Sequence, residues 1–144
     1  MFMKVVASLL VALLMGCAPN WQAIAQRSNQ TRKSCEAELA SGNLKNHLEV
    51  EQCANPSIRA DYAAAGDPDM DLVDEYLTRR EAIAAQLDRG AIPVTEAAAE
   101  RASAAATANS EAERRETGRA ARAAAIMSTM PVTCTKFGAV TTCN

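Results

Sequence analysis

Two kinds of apolar pattern follow one another along this chain. Val5 to Met15 is an unbroken run of eleven apolar or small residues behind a single charge, Lys4. A bilayer-crossing helix needs about 20 apolar residues, so this run is too short to span, whereas about 7–15 suits the hydrophobic stretch of an export signal. Beyond it the pattern turns helical and interrupted. Gln22 to Ala40 has neither glycine nor proline and carries Arg27, Arg32, Lys33, Glu36 and Glu38, which predicts a helix ending before Ser41-Gly42-Asn43. A shorter helix is expected from Leu44 to Ala54. Asn55-Pro56 should stop it, because proline disfavours helical geometry in the residue before it. Another turn or two is expected over Ser57 to Ala65.

The clearest periodicity comes next. Val73, Tyr76, Leu77, Ile83, Ala84 and Leu87 recur at three- and four-residue intervals and mark one apolar helix face. Asp67-Pro68 reads as a cap followed by proline at the first helical position. Asp69, Asp71, Asp74 and Glu75 crowd the first turns, where the helix dipole favours negative charge, and Arg79 and Arg80 lie further along. Gly90 marks the stop after Asp88 and Arg89. After Ala91-Ile92-Pro93-Val94, Thr95 is the expected cap of a last helix running to Met127 and bent at Gly118. Alanine makes up 14 of the 29 residues from Ala97 to Ala125 and has the highest helix propensity. Glu111 and Arg115 are four apart and Glu116 and Arg119 three apart, spacings that pair along a helix. An alanine face buries little area per turn. The expected arrangement is an antiparallel hairpin of this helix on the preceding one, with Met130-Pro131 ending it.

The tail, PVTCTKFGAVTTCN, is rich in threonine and valine, which favour strands. If Cys134 faces Cys143, the turn falls on Gly138-Ala139, the glycine-first pattern of a two-residue hairpin loop. Counting outward makes Cys134–Cys143 a non-hydrogen-bonded pair, with Cα atoms about 4.5 Å apart and within disulfide reach.

Chemistry begins at the end of the first run. Leu14-Met15-Gly16-Cys17 resembles the lipobox of bacterial lipoproteins, with leucine three residues before an obligatory cysteine and a small residue just before it. The resemblance implies that the Cys17 sulfur receives a diacylglycerol, that residues 1–16 are removed, and that the new amino group is acylated. One acyl chain holds only marginally, but several on one residue anchor for practical purposes permanently. Aspartate after the cysteine tends, in that family, to retain a protein at the inner membrane. Ala18 stands there instead, which implies the outer membrane and a body facing the periplasm. More broadly, Tyr76-Leu-Thr-Arg-Arg to Asp88-Arg-Gly, Glu96-Ala and the tail from Cys134 to Cys143 resemble small uncharacterised envelope lipoproteins of alphaproteobacteria. That likeness carries no activity with it.

With Cys17 acylated, four cysteines remain: Cys35, Cys53, Cys134 and Cys143. Three pairings are possible, and export places them where disulfides persist. Local pairing is expected, Cys35 with Cys53 and Cys134 with Cys143. The first would join two helices across the Gly42 turn, and a loop of that size is worth about 3 kcal/mol in the chain-entropy picture. The chain divides into a signal (1–16), a lipidated N-terminus with short bridged helices (17–66), a long helical hairpin (67–130) and the stapled tail (131–144). The class is mainly α.

Composition narrows the function without naming it. From Cys17 onward only 23 residues are Leu, Ile, Val, Met, Phe, Trp or Tyr, a thin core supply that small chains commonly supplement with disulfides or partners. A net charge of −2 without a basic block argues against nucleic acid. Asp67, Asp69 and Asp71 alternate like the start of an EF-hand loop, but Leu72 and Thr78 stand where glycine and glutamate are needed. His47, the one histidine, offers neither a zinc set nor a dyad and reads as a solvent-facing helix residue. Trp21 is suited either to a membrane interface or to packing on the first helix. No catalytic residue, metal or cofactor is expected. The expected role is a non-enzymatic, lipid-anchored envelope module with a protein partner; the alternative is a periplasmic small-ligand binder or enzyme without a recognisable motif.

Overall fold

The computed structural model describes residues 20–129, 134–138 and 140–143. The expected export signal, Cys17, the expected stop at Met130-Pro131 and Ala139 of the expected turn lie outside the described residues. The described chain is mainly α, with four helices: α1 (Trp21–Ala40), α2 (His47–Ala64), α3 (Met70–Asp88) and α4 (Val94–Thr129).

Short connections make α1, α2 and α3 successive antiparallel neighbours. Each of these helices ends in the same way. Gly42, Gly66 and Gly90 follow the last turn with positive φ, and each donates its N–H to the carbonyl three residues back (Leu39, Ala63 and Leu87). The next residue in each case (Asn43, Asp67 and Ala91) reaches the carbonyl five back, closing a Schellman motif. The starts are built from side chains. Asn20 caps α1, its Oδ1 accepting from the Ala23 N–H at 3.0 Å. At the head of α2 the first three N–H groups are taken: Asn46 Oδ1 accepts from Glu49, and the Asp88 carboxylate, at the far end of α3, accepts from His47 and Leu48 at 2.9 and 2.8 Å. That carboxylate ties the end of α3 to the start of α2.

α2 is the central helix, packed by α1 on one side and α3 on the other. Its buried Val50, Ala54 and Ile58 recur every fourth residue and meet Cys35 from α1 and Leu77 from α3. Leu39, Leu44, Tyr62, Val73 and Tyr76 close around them. Burying a side chain of Val, Ile or Leu size contributes about 1.5–3 kcal/mol. A few such residues therefore hold this small core, and the Cys35–Cys53 bridge lies at its edge, with Cα atoms 6.0 Å apart.

Three local expectations are corrected. α2 does not stop at Asn55-Pro56 but runs through it to Ala64. An interior proline costs about 3 kcal/mol, and here tertiary burial outweighs it: Ala54, Asn55 and Ile58 are buried around it while Pro56 itself faces solvent. α3 opens at Met70 rather than Pro68. Asp67 does accept from the Asp69 N–H at 2.8 Å, but Asp69 has φ −113° and ψ 40°, so helical geometry starts one residue later. α4 opens at Val94, with the Pro93 carbonyl accepting from Ala97, so Thr95 lies inside the first turn instead of capping it. Its 36 residues continue through Gly118.

The chain divides into two units at Ala108/Asn109. In the tail the described backbone has two four-residue strands, Cys134–Phe137 (β1) and Val140–Cys143 (β2), in antiparallel register with Cys134 opposite Cys143. The side chains of both strands, and with them the expected Cys134–Cys143 bridge, lie outside the described residues.

Candidate functional site

The most concentrated polar chemistry lies where the three packed helices meet. Glu51 follows Val50 on the inward side of α2 and is 3% exposed. Arg80 of α3 grips it with a two-pronged bond, Nη2 to Oε1 at 3.0 Å and Nε to Oε2 at 3.1 Å. Arg32 of α1 donates to the same Oε2. The third nitrogen of Arg80, Nη1, donates to the Tyr76 hydroxyl at 2.9 Å, and the guanidinium carbon lies 5.6 Å from the centre of the Tyr76 ring. One carboxylate thus joins a guanidinium from each flanking helix.

Burial is the largest single influence on Glu51 and pushes its pKa up. The Arg80 hydrogen bonds and the charges of Arg32 and Arg80 together outweigh it and hold the carboxyl below its ordinary value. The same cluster raises the Arg80 guanidinium: burial opposes the charge, while the bonds to Glu51 and Tyr76 more than restore it. Three charge-assisted hydrogen bonds hold this carboxylate in one orientation. The arrangement is a three-helix clasp. Asn55, one turn along α2, extends the polar seam by donating to Glu81 at 2.7 Å and to the Leu77 carbonyl at 3.4 Å. Arg59 and Asp74 make a two-pronged pair at the solvent edge.

At the opposite end of α2, Trp21 and Tyr62 stack with centroids 6.3 Å apart and planes 23° apart. Trp21 is 43% exposed, whereas Tyr62 is half-buried against the core. Trp21 thus stacks on α2 and not on its own helix, α1, as one sequence alternative had it, and the rest of the indole faces out. Burial raises the Tyr62 pKa, with the charge of Asp67 adding to it.

The residues singled out from the sequence are scattered. Cys35 and Cys53 are joined, Cys35 buried and Cys53 exposed. Cys134 and Cys143 stand opposite each other in register. Cys17 lies outside the described residues. His47 is exposed at the first position of α2, and its backbone, not its ring, carries the contact to Asp88. Asp67 is engaged with its own turn, and no His, Cys, Asp and Glu set of metal-binding size occurs among the described residues. No described helix is long and apolar enough to cross a membrane. The clasp went unseen because Arg32, Glu51 and Arg80 read singly as solvated charges. The available signal was that Glu51 and Asn55, four apart, share the side of α2 marked by Val50, Ala54 and Ile58. Ending the helix at Ala54 hid that stripe. No protein-family model, curated protein or solved structure matches the chain.

Proposed function

We propose that the chain is a bacterial lipoprotein, acylated on Cys17 and held at the periplasmic face of the cell envelope, at the outer membrane. Its role is that of a non-enzymatic interaction or structural module. Leu14-Met15-Gly16-Cys17 behind the short apolar run carries this reading. The Cys35–Cys53 bridge supports it, since such bridges persist in oxidising compartments. Cys134 and Cys143 form the second bridge and close the tail as a stapled hairpin, a pairing to which the register and the positive φ of Gly138 lend support. The three clasped helices make a rigid base. The exposed outer part of α4 and the tail are the surfaces offered to an envelope protein.

Changing Cys17 to Ser should abolish fatty-acid labelling and leave unprocessed precursor. A native protein whose mass shows Cys17 unmodified ends the proposal. For the interaction role, a photocrosslinker placed at Ala120 of α4 in living cells should give a discrete adduct with a second polypeptide. Recovery of the uncrosslinked chain alone counts against it.

A further inference from the structure

We propose that the Trp21–Tyr62 end of the three-helix body rests on the phospholipid surface itself, with the exposed face of Trp21 set among zwitterionic headgroups. The proposal builds on the anchoring reading above, and three observations carry it beyond that reading.

The first is reach. Only Ala18, Pro19 and Asn20 separate Cys17 from Trp21. Four residue steps span at most about 14 Å when fully extended. Asn20 is already committed, capping α1 through its bond to the Ala23 N–H. A body joined to its lipid by so short a link cannot hold the start of α1 far from the bilayer surface. The antiparallel packing brings the end of α2 and the turn before α3 to the same place: Trp21 stacks on Tyr62, and the Asp67 N–H donates to the Tyr62 carbonyl at 3.2 Å.

The second is the aromatic surface. Indole favours the headgroup layer because its ring is apolar and its N–H needs a polar partner. Trp21 presents that surface at 43% exposure from a fixed position, since the ring beneath it, Tyr62, packs on the core. Little ordering of the indole is left to be done on contact.

The third is charge, which selects the lipid. Between Ala60 and Thr78 there is no lysine or arginine, while Asp61, Asp67, Asp69, Asp71, Asp74 and Glu75 all fall there. Arg27 answers Asp61 at 3.5 Å and Arg59 answers Asp74. The stretch itself brings acidic groups and no lysine or arginine, so it offers anionic headgroups no cation to bind and suits neutral ones.

Trp21 is the only tryptophan in the chain, so its fluorescence reports this contact alone. Acylated protein purified from membranes, with both acylation and signal removal verified by mass, is reconstituted in phosphatidylcholine vesicles with or without bromine on the acyl chains. Brominated lipid should quench emission roughly twofold or more, as for an indole seated at the interface. Replacing part of the phosphatidylcholine with phosphatidylglycerol should weaken the quenching at low salt and restore it near 0.15 M, where the Debye length falls to about 8 Å. Equal emission in brominated and plain vesicles, from verified acylated protein, overturns the contact and leaves the anchor standing. Quenching that phosphatidylglycerol strengthens overturns the headgroup preference. A mass without acyl groups overturns the anchor and this contact with it.

Discussion

At the scale of single residues, Glu51 has the largest consequence. A buried carboxylate between two guanidiniums is not by itself a large source of stability, because the desolvation of all three charges offsets much of their attraction. Removing one member is different: Glu51→Ala leaves Arg32 and Arg80, both largely enclosed, without their counter-charge. The expected loss is about 3–5 kcal/mol, read as a lower urea midpoint. Replacing Arg32, Glu51 and Arg80 together by apolar residues of similar volume should lose much less. The pH dependence follows from the direction of the shift. The folded-state pKa of Glu51 lies below its ordinary value of 4.5, so its contribution is fully present above about that pH and fades as pH falls through the lowered value. Stability measured from neutral pH into acid should therefore drop more steeply in the parent than in Glu51→Gln, which has no proton to gain. Parallel curves would mean that other carboxylates govern the acid limb.

At the scale of elements, the head of α2 shows how one helix depends on another. Its first N–H groups have no partner within the helix, and Asp88 supplies two of them from α3. Asp88→Ala should cost about 1–2 kcal/mol, in the range of lost helix caps. Hydrogen exchange should locate the effect, with the Leu48 amide losing protection before Ile58 does. Such a contact spans forty residues of sequence and could not be read from local signals. What could be read were features with local causes: the apolar stripe of α3, the glycine stops at 42 and 90, and the alanine-driven α4. Asn55-Pro56 misled for a physical reason. The proline penalty is local and known, whereas the burial that overrides it comes from α1 and α3. The clasp was missed with it, because Glu51 and Asn55 share a face only if the helix continues past Pro56. The Cys35–Cys53 link was accessible because the Gly42 turn predicted two adjacent helices of opposite direction.

At the scale of the whole molecule, the contrast between the two units leads to a difference in local stability. In α1 to α3 the amides of Val50 to Ile58 lie beneath side chains from three helices. In α4 from Asn109 to Thr129 no side chain is buried, and Ile126 and Met127 are 59% and 73% exposed. That segment is held by alanine propensity and by Glu111 accepting from Arg114 and Arg115. Most helical stability in proteins comes from a buried apolar face, and this segment has no buried side chain to supply one. Its amides should therefore exchange roughly a hundredfold faster than those of Val50 to Ile58, opening locally while the packed helices stay closed. Gly118 gives a handle on the cause. A Cβ built there meets nothing within 4 Å, and its φ is not positive, so Gly118→Ala adds helix propensity without strain. It should stabilise the segment by about 0.5–1 kcal/mol and slow exchange on either side of residue 118. Exchange in α2 should not change, because the substitution acts through backbone entropy and makes no new contact there. In living envelopes the same measurement becomes a test of the interaction role: a partner seated on α4 would slow exchange over 109–129 in the parent protein and reduce the further gain from Gly118→Ala. Identical exchange in isolated and membrane-resident protein would show that this helix carries no partner.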